Sequence, residues 1–208
     1  MTTYKESDVV ESTKERILAS ARALIDRDGT IGLRVTDVAA GANVSVPLIY
    51  RYFIDREGLL AAVLGDWYDE FTTRYRAMID NWIDSAPTIT LEEFAQLSPK
   101  PKAGDNQKDR EFRLKVLTTA LENSRLRERV RATTRDSHQW LDSVLERGIP
   151  KLPEDDRYFD RQIFTLLLFN VMYVFHDILD RDPVNDEDYV TFLVGLIRAS
   201  SRANLTNK

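Results

Sequence analysis

The chain contains no cysteine, which excludes a disulfide framework and thiolate chemistry and suits a reducing interior. Glycine and proline are scarce, eight and seven in 208 residues, so turns are few. Apolar positions recurring at spacings of three and four then predict an all-α chain. There are two histidines, and neither follows a glutamate at the third position: Arg135 precedes His138 and Tyr173 precedes His176. The helical di-iron pattern is therefore missing. The acidic run "DRDPVNDEDYVT" (180–191) has Asn185 and Thr191 where a calcium-binding EF-hand loop needs glycine and glutamate. "DDRYFD" (155–160) reads as a solvated helix start. With no phosphate-cradling glycine loop and no nucleophile motif, neither an enzyme nor a metal or cofactor site is expected.

Long hydrophobic runs are also lacking. The longest apolar stretch, "IFTLLLFNVMYVF" (163–175), is interrupted by Asn170 and is too short to span a bilayer. The N-terminal "MTTYKESDVVES" has no apolar core of a signal peptide. A cytoplasmic protein without a membrane partner is expected. The formal charge of −5 argues mildly against nucleic acid as a partner, but it is a whole-chain average in which a small basic patch can sit.

What is present is a series of helix signals. Ser12 and Glu15 form a capping-box pattern, and Ile17, Leu18, Ala21, Leu24 and Ile25 make one apolar stripe ending at Gly29. A first helix over 12–28 is expected. Three helix starts with one design follow: Leu33 with Val38, Val44 with Ile49, and Ile54 with Leu59. Each is the pattern of a hydrophobic staple, an apolar residue before the cap packing on one in the first turns. Helix two is expected over about 35–42, with Asn43 able to take the left-handed conformation of a tight turn. Helix three is short. Pro47 falls at its second position, where a missing N–H costs little, so the Ser45 hydroxyl is expected to cap the N–H of Leu48. Two helices joined by about three residues, the second short and capped, make a helix-turn-helix.

Further helices are expected at about 56–84, 109–122, 126–148, 157–180 and 186–202. Between 85 and 109 lies a Pro-, Gly- and Lys-bearing stretch with at most a short helix near 90–97, its second half a surface loop.

If helix three docks in the major groove of DNA, Ile49 and Phe53 face the core and Ser45, Val46, Pro47, Tyr50 and Arg51 face outward. Tyrosine hydroxyls donate to phosphate oxygens, and arginine can hold a phosphate or a guanine edge with two parallel bonds. Val46, Pro47 and Leu48 offer apolar surface for thymine methyls. Arg56, at the start of helix four, would meet the same strand, where the helix dipole favours phosphate. Half-buried packing is the plainer role for tyrosines on a short helix. The capped turn and the staples favour DNA. Arg34, Arg51 and Arg56 are offset by Asp37, Asp55 and Glu57, so few phosphates would be neutralised per subunit.

Residues 13–64, and especially "RVTDVAAGANVSVPLIYRYFIDREGLLAAVL", resemble the DNA-binding domain of the tetracycline-repressor (TetR) family of transcriptional regulators. The "TDVA" of helix two, the Val-Ser turn, "IYRYF" and "DREGLL" carry the resemblance through their order and spacing. It implies DNA contacts from Arg34, Thr36, Ser45, Val46, Pro47, Leu48, Tyr50, Arg51, Tyr52 and Arg56. This chain departs from the family at Arg34, where a hydroxyl cap is usual, and at Asn43, where glycine is common. Gly58 weakens the first turn of helix four by roughly 0.5–1 kcal/mol relative to alanine.

The resemblance also implies a helix-turn-helix domain (10–54) followed by a variable helical regulatory domain (55–208). The last two helices of that domain would build a dimeric four-helix bundle, so a homodimer is expected. A helix over 157–180 that is apolar nearly all round, and a last one carrying Gly195, fit that bundle. Trp67, Phe71, Trp82, Phe112, Trp140, Phe169 and Tyr173 are candidate lining residues of a pocket for a small organic ligand, with Asn123, His138, Asn170 and His176 as polar contacts. Aromatics at helical spacing also serve as plain core, and Asn170 could equally hydrogen-bond across the dimer. The expected function is a ligand-responsive repressor binding a palindromic operator as a dimer. The alternative is a helical adaptor that uses the helix-turn-helix surface for protein contacts.

Overall fold

A computed structural model describes residues 6–96, 107–158 and 186–206. Every regular element among the described residues is helical. In chain order these are α1 (Glu6–Asp28), α2 (Val35–Ala42), α3 (Val46–Phe53), α4 (Arg56–Ser85), α5 (Leu91–Ala95), α6 (Gln107–Glu122), α7 (Ser124–Gly148) and α8 (Asp186–Thr206). Two 3-10 turns, Ile149–Lys151 and Glu154–Asp156, follow α7. The expected apolar helix at 157–180 falls almost entirely outside the described residues. Among the described residues no helix is long and apolar enough to cross a membrane.

The chain divides into two compact units, Met1–Phe71 with Phe112–Thr134, and Thr72–Glu111 with Arg135–Lys208. In the first, α1 packs Ile17, Ala21 and Ile25 against Val38 and Ala42 of α2, Ile49 and Phe53 of α3, and Leu60 and Leu64 of α4. Val116 of α6 and Leu126 and Val130 of α7 complete this core. Ser20 of α1 donates to the carbonyl of Val38 at 3.1 Å, beside Gly41, where a Cβ would overlap the serine oxygen. In the second unit, Ile79 and Ile83 of α4, Phe94 of α5, Val144 and Leu145 of α7, and Tyr189, Leu193 and Ile197 of α8 share one core. A capping box starts α5: Thr90 Oγ1 accepts from Glu93 N at 3.1 Å, and the Glu93 carboxylate accepts from Thr90 N at 2.8 Å.

Arginines of α7 join it to acids of α4 in both units. In the first, Arg129 reaches Asp66 at 2.5 Å and Asp69 at 2.7 Å. It lies so close over Gly65 that a Cβ there would sit 2.5 Å from Arg129 Cδ. Burial opposes the Arg129 charge, but the two carboxylates outweigh it and hold its pKa above the ordinary value. In the second, Arg147 pairs with Asp80 and Asp84, and Trp140 Nε1 donates to Asp80 at 3.0 Å.

Three local expectations are corrected. The helix expected to start at Ser12 starts at Glu6, so Ser12 lies within it and is not its cap. Ser45 does occupy the cap position of α3, with extended backbone, but its hydroxyl makes no capping bond. Pro47 has no N–H to offer, and the Leu48 N–H goes to the carbonyl oxygen of Ser45 at 3.0 Å. The third staple is also absent. Leu33 with Val38 and Val44 with Ile49 share the core, whereas Ile54 is 72% exposed.

Candidate nucleic-acid interface

The geometry begins at the turn. Asn43 takes the left-handed conformation (φ 53°, ψ 52°), which its short polar side chain tolerates, and its N–H returns to the carbonyl of Ala40 at 3.2 Å. Val44 and Ile49 then seat α3, whose inner face carries the buried Ile49 and Phe53. Ser45, Pro47, Tyr50 and Arg51 lie on the exposed face, Tyr50 at 43% exposure. Neither the Tyr50 hydroxyl nor the Arg51 guanidinium bonds to a described residue. The Ser45 hydroxyl, relieved of capping, lies on the same face.

The other residues implied as contacts divide into two groups. Arg34 and Thr36 are exposed at the start of α2. Arg34 makes no capping bond and no ion pair with a described residue, and Thr36 Oγ1 donates to Asp37 at 3.3 Å. Val46, Leu48, Tyr52 and Arg56 are half-buried. Val46 and Tyr52 pack on the core, with the Tyr52 ring tilted at 6.1 Å from Phe53. Arg56 is spent inward: Nε donates to Leu33 O at 3.0 Å, Nη2 to Thr30 O at 2.7 Å, and Nη1 to Glu57 at 2.8 Å. It ties the start of α4 to the loop between α1 and α2.

The connection from α3 to α4 is unusual. Ile54 has φ 69° and ψ −54°, and the Asp55 N–H bonds to Phe53 O at 2.7 Å. This is a γ-turn with positive φ, a rare and strained conformation, and here a β-branched residue occupies its centre. Asp55 caps α4 as expected, its Oδ1 accepting Gly58 N–H at 2.6 Å. Gly58 has a steric reason: a Cβ there would overlap the Phe53 carbonyl oxygen and lie 2.8 Å from Arg125 Nη1. Arg125 donates to both Asp55 oxygens, at 2.6 and 3.0 Å, and this fork, with Gly58 N–H, holds the Asp55 carboxyl below its ordinary pKa. Arg125 has no local sequence signal; a basic residue 70 positions from its acid becomes visible once the helices are packed.

The candidate ligand residues are placed as follows. In the first unit Trp67 stacks on Phe71 (5.3 Å between centroids, 8° between planes) and meets Phe112 at 4.4 Å. Asn123 is 4% exposed, and its amide is spent on structure. Its Oδ1 accepts the Leu126 N–H at 3.0 Å, and Nδ2 donates to Glu57 O at 2.8 Å and to the Glu57 carboxylate at 3.1 Å. In the second unit Trp82 and Trp140 are half-buried and His138 is exposed. The Arg76 guanidinium lies 5.8 Å from the Trp140 ring centroid. Phe169, Asn170, Tyr173 and His176 lie outside the described residues.

A left-handed turn joining two short helices, the second with one face buried and one presenting hydroxyls and a guanidinium, makes a helix-turn-helix. Residues 17–63 match the family described as bacterial regulatory proteins, tetR family. The HTH-type transcriptional regulator RutR of Escherichia coli K12 is 29% identical over 119 residues, covering 57% of this chain and 55% of that protein. The chain thus spans about half the length of the curated relatives it matches. A putative TetR-family regulator from a Rhodococcus species has a similar fold, with TM-score 0.50 and 20% identity over 92% of this chain and 99% of that one. So has the regulator FadR from Bacillus subtilis, solved in complex with stearoyl-CoA, with TM-score 0.50 and 18% identity over 89% and 95%.

Proposed function

We propose that this chain is a transcriptional regulator that binds a palindromic DNA operator as a homodimer and leaves it when a small organic ligand binds, acting as a repressor. The exposed face of α3 carries this reading. It offers Ser45, Tyr50 and Arg51 to a major groove, while Ile49 and Phe53 fix the opposite face. Arg34 and Thr36 at the start of α2 supply phosphate contacts. Pro47, Val46 and Leu48 contribute apolar surface, Tyr52 sits at the edge, and Arg56 acts mainly by holding the loop. Functionally, residues 10–54 are the DNA-binding domain and 55–208 the regulatory one.

The dimer is supported by α8, where Phe192 is 61% exposed and Gly195 has open space beside it, so one helix face is available to a second copy. The stacked Trp67 and Phe71, with Phe112 tilted against the indole, support an apolar or aromatic ligand class. Long-chain acyl-CoA, the ligand in the FadR complex, is a first probe. Ligand binding displaces α4 and with it the spacing of the two α3 helices. A tenfold loss of operator affinity requires the ligand to favour the non-binding geometry by about 1.4 kcal/mol.

The test is Tyr50→Phe combined with Arg51→Ala, assayed by fluorescence anisotropy on a duplex enriched by the wild-type chain. Removing a groove contact and a phosphate donor should weaken binding at least about tenfold. Unchanged affinity would assign the exposed face to protein contacts instead.

A further inference from the structure

The first turn of α4 is gripped from two sides. On one side Arg56 donates to the carbonyls of Thr30 and Leu33. On the other, Arg125 in the first turn of α7 donates to both oxygens of Asp55, and Asn123, between α6 and α7, donates to the carbonyl and carboxylate of Glu57. Just before the first turn of α4 sits the positive-φ residue Ile54, which with Asp55 joins α3 to α4. A strained residue persists only where its surroundings over-determine it, and the fork on Asp55 lies one residue away.

The exposure of this pair argues against a role in bulk stability. Arg125 and Asp55 side chains are each 47% exposed, and exposed pairs contribute little to folding. A two-bond fork instead fixes direction. We propose that Arg125, seconded by Asn123, is a positioning residue for DNA recognition: its fork on Asp55 holds the Phe53–Asp55 turn closed and sets the angle at which α3 meets α4. This rests on the reading of α3 as the helix that contacts DNA. The start of α7, with Asn123 before it, is thereby a second input to the reading helix, beside the displacement of α4 itself.

Two variants of opposite charge test it in the full-length chain, on a labelled duplex carrying the motif the wild type enriches. Arg125→Ala removes the fork. Asp55→Asn also removes it, yet keeps an oxygen to cap the Gly58 N–H and takes a negative charge away from the DNA. Both should weaken binding about tenfold, and Arg125→Lys, which cannot form the fork, should fall between Ala and wild type. Thermal midpoints should stay within about 2 °C of wild type, as for other exposed pairs. If Arg125→Ala weakens binding while Asp55→Asn strengthens it, the effect is net charge and the positioning role is overturned. Variants that bind as the wild type does would also overturn it, as would affinity losses that merely follow losses of thermal stability. A wild type that enriches no duplex would overturn the reading of α3 itself, and this proposal with it.

Discussion

Replacing Gly58 by alanine sets two effects of opposite sign against each other. Helix propensity alone favours alanine by roughly 0.5–1 kcal/mol. The new methyl, however, would overlap the Phe53 carbonyl oxygen and press within 2.8 Å of Arg125 Nη1. The arginine can swing aside, but the carbonyl cannot easily: it accepts the Asp55 N–H at 2.7 Å and belongs to a turn already at positive φ. Relieving such an overlap by backbone shifts typically costs about 1–3 kcal/mol, so a net destabilisation of about 1–2 kcal/mol is expected. For a chain of 208 residues that corresponds to a fall of roughly 2–8 °C in thermal midpoint, readable by circular dichroism at 222 nm. A variant as stable as wild type, or more so, would refute the close approach of Phe53 to Gly58 and the strained turn inferred beside it.

Ile54→Gly should act in the other direction. Strain of about 1–3 kcal/mol is relieved, less roughly 0.5–1 kcal/mol for the freedom of glycine in the unfolded chain, and the exposed side chain gives up little burial. Urea unfolding should therefore show a gain near 1 kcal/mol, and a loss would contradict the positive φ. The lowered pKa of Asp55 gives the α4 junction a pH dependence. Its contribution is complete above the ordinary aspartate value of about 3.9 and is lost as pH falls through the lower folded value. Asp55→Asn should lessen the acid-induced loss of stability slightly, as befits an exposed pair, and a greater acid-induced loss in the variant than in wild type would count against the fork. Operator affinity should depend modestly on salt. With Arg56 spent inward, Arg34 and Arg51 remain in each subunit, so a dimer should show a log–log slope of about −3 to −4. A slope near −8 would require more cations than Arg34 and Arg51 supply.

The helix-turn-helix was legible because its signals are local. Asn43 marks the left-handed turn, Pro47 tolerates only the first turn of a helix, and Asp55 caps α4 through the Gly58 N–H. What failed did so where a neighbour overrode a local preference. Ser45 looks like a hydroxyl cap, but with no N–H on Pro47 its own carbonyl serves Leu48. Ile54 fits a staple by spacing, yet the γ-turn turns its side chain to solvent, a conformation no propensity would assign to a β-branched residue. The pattern at Ser12 and Glu15 resembles a helix start but lies within α1. Asn123 has the look of a ligand contact, and its partners at Glu57 and Leu126 appear only when α4 and α7 are brought together. Arg125 is invisible to any local pattern for the same reason.

We propose, as the central claim, that the exposed face of α3 reads a DNA sequence in a symmetric dimer. Its most direct test is selection from a random duplex library with the purified chain near physiological salt, followed by sequencing of the bound pool. A palindromic motif should emerge, with equivalent half-sites centred about 34–36 Å, or one helical turn, apart. Loss of that motif with Tyr50→Phe combined with Arg51→Ala would place it on α3. If the refolded, ligand-free chain enriches no sequence even at low salt, or a motif with no dyad, the claim is contradicted.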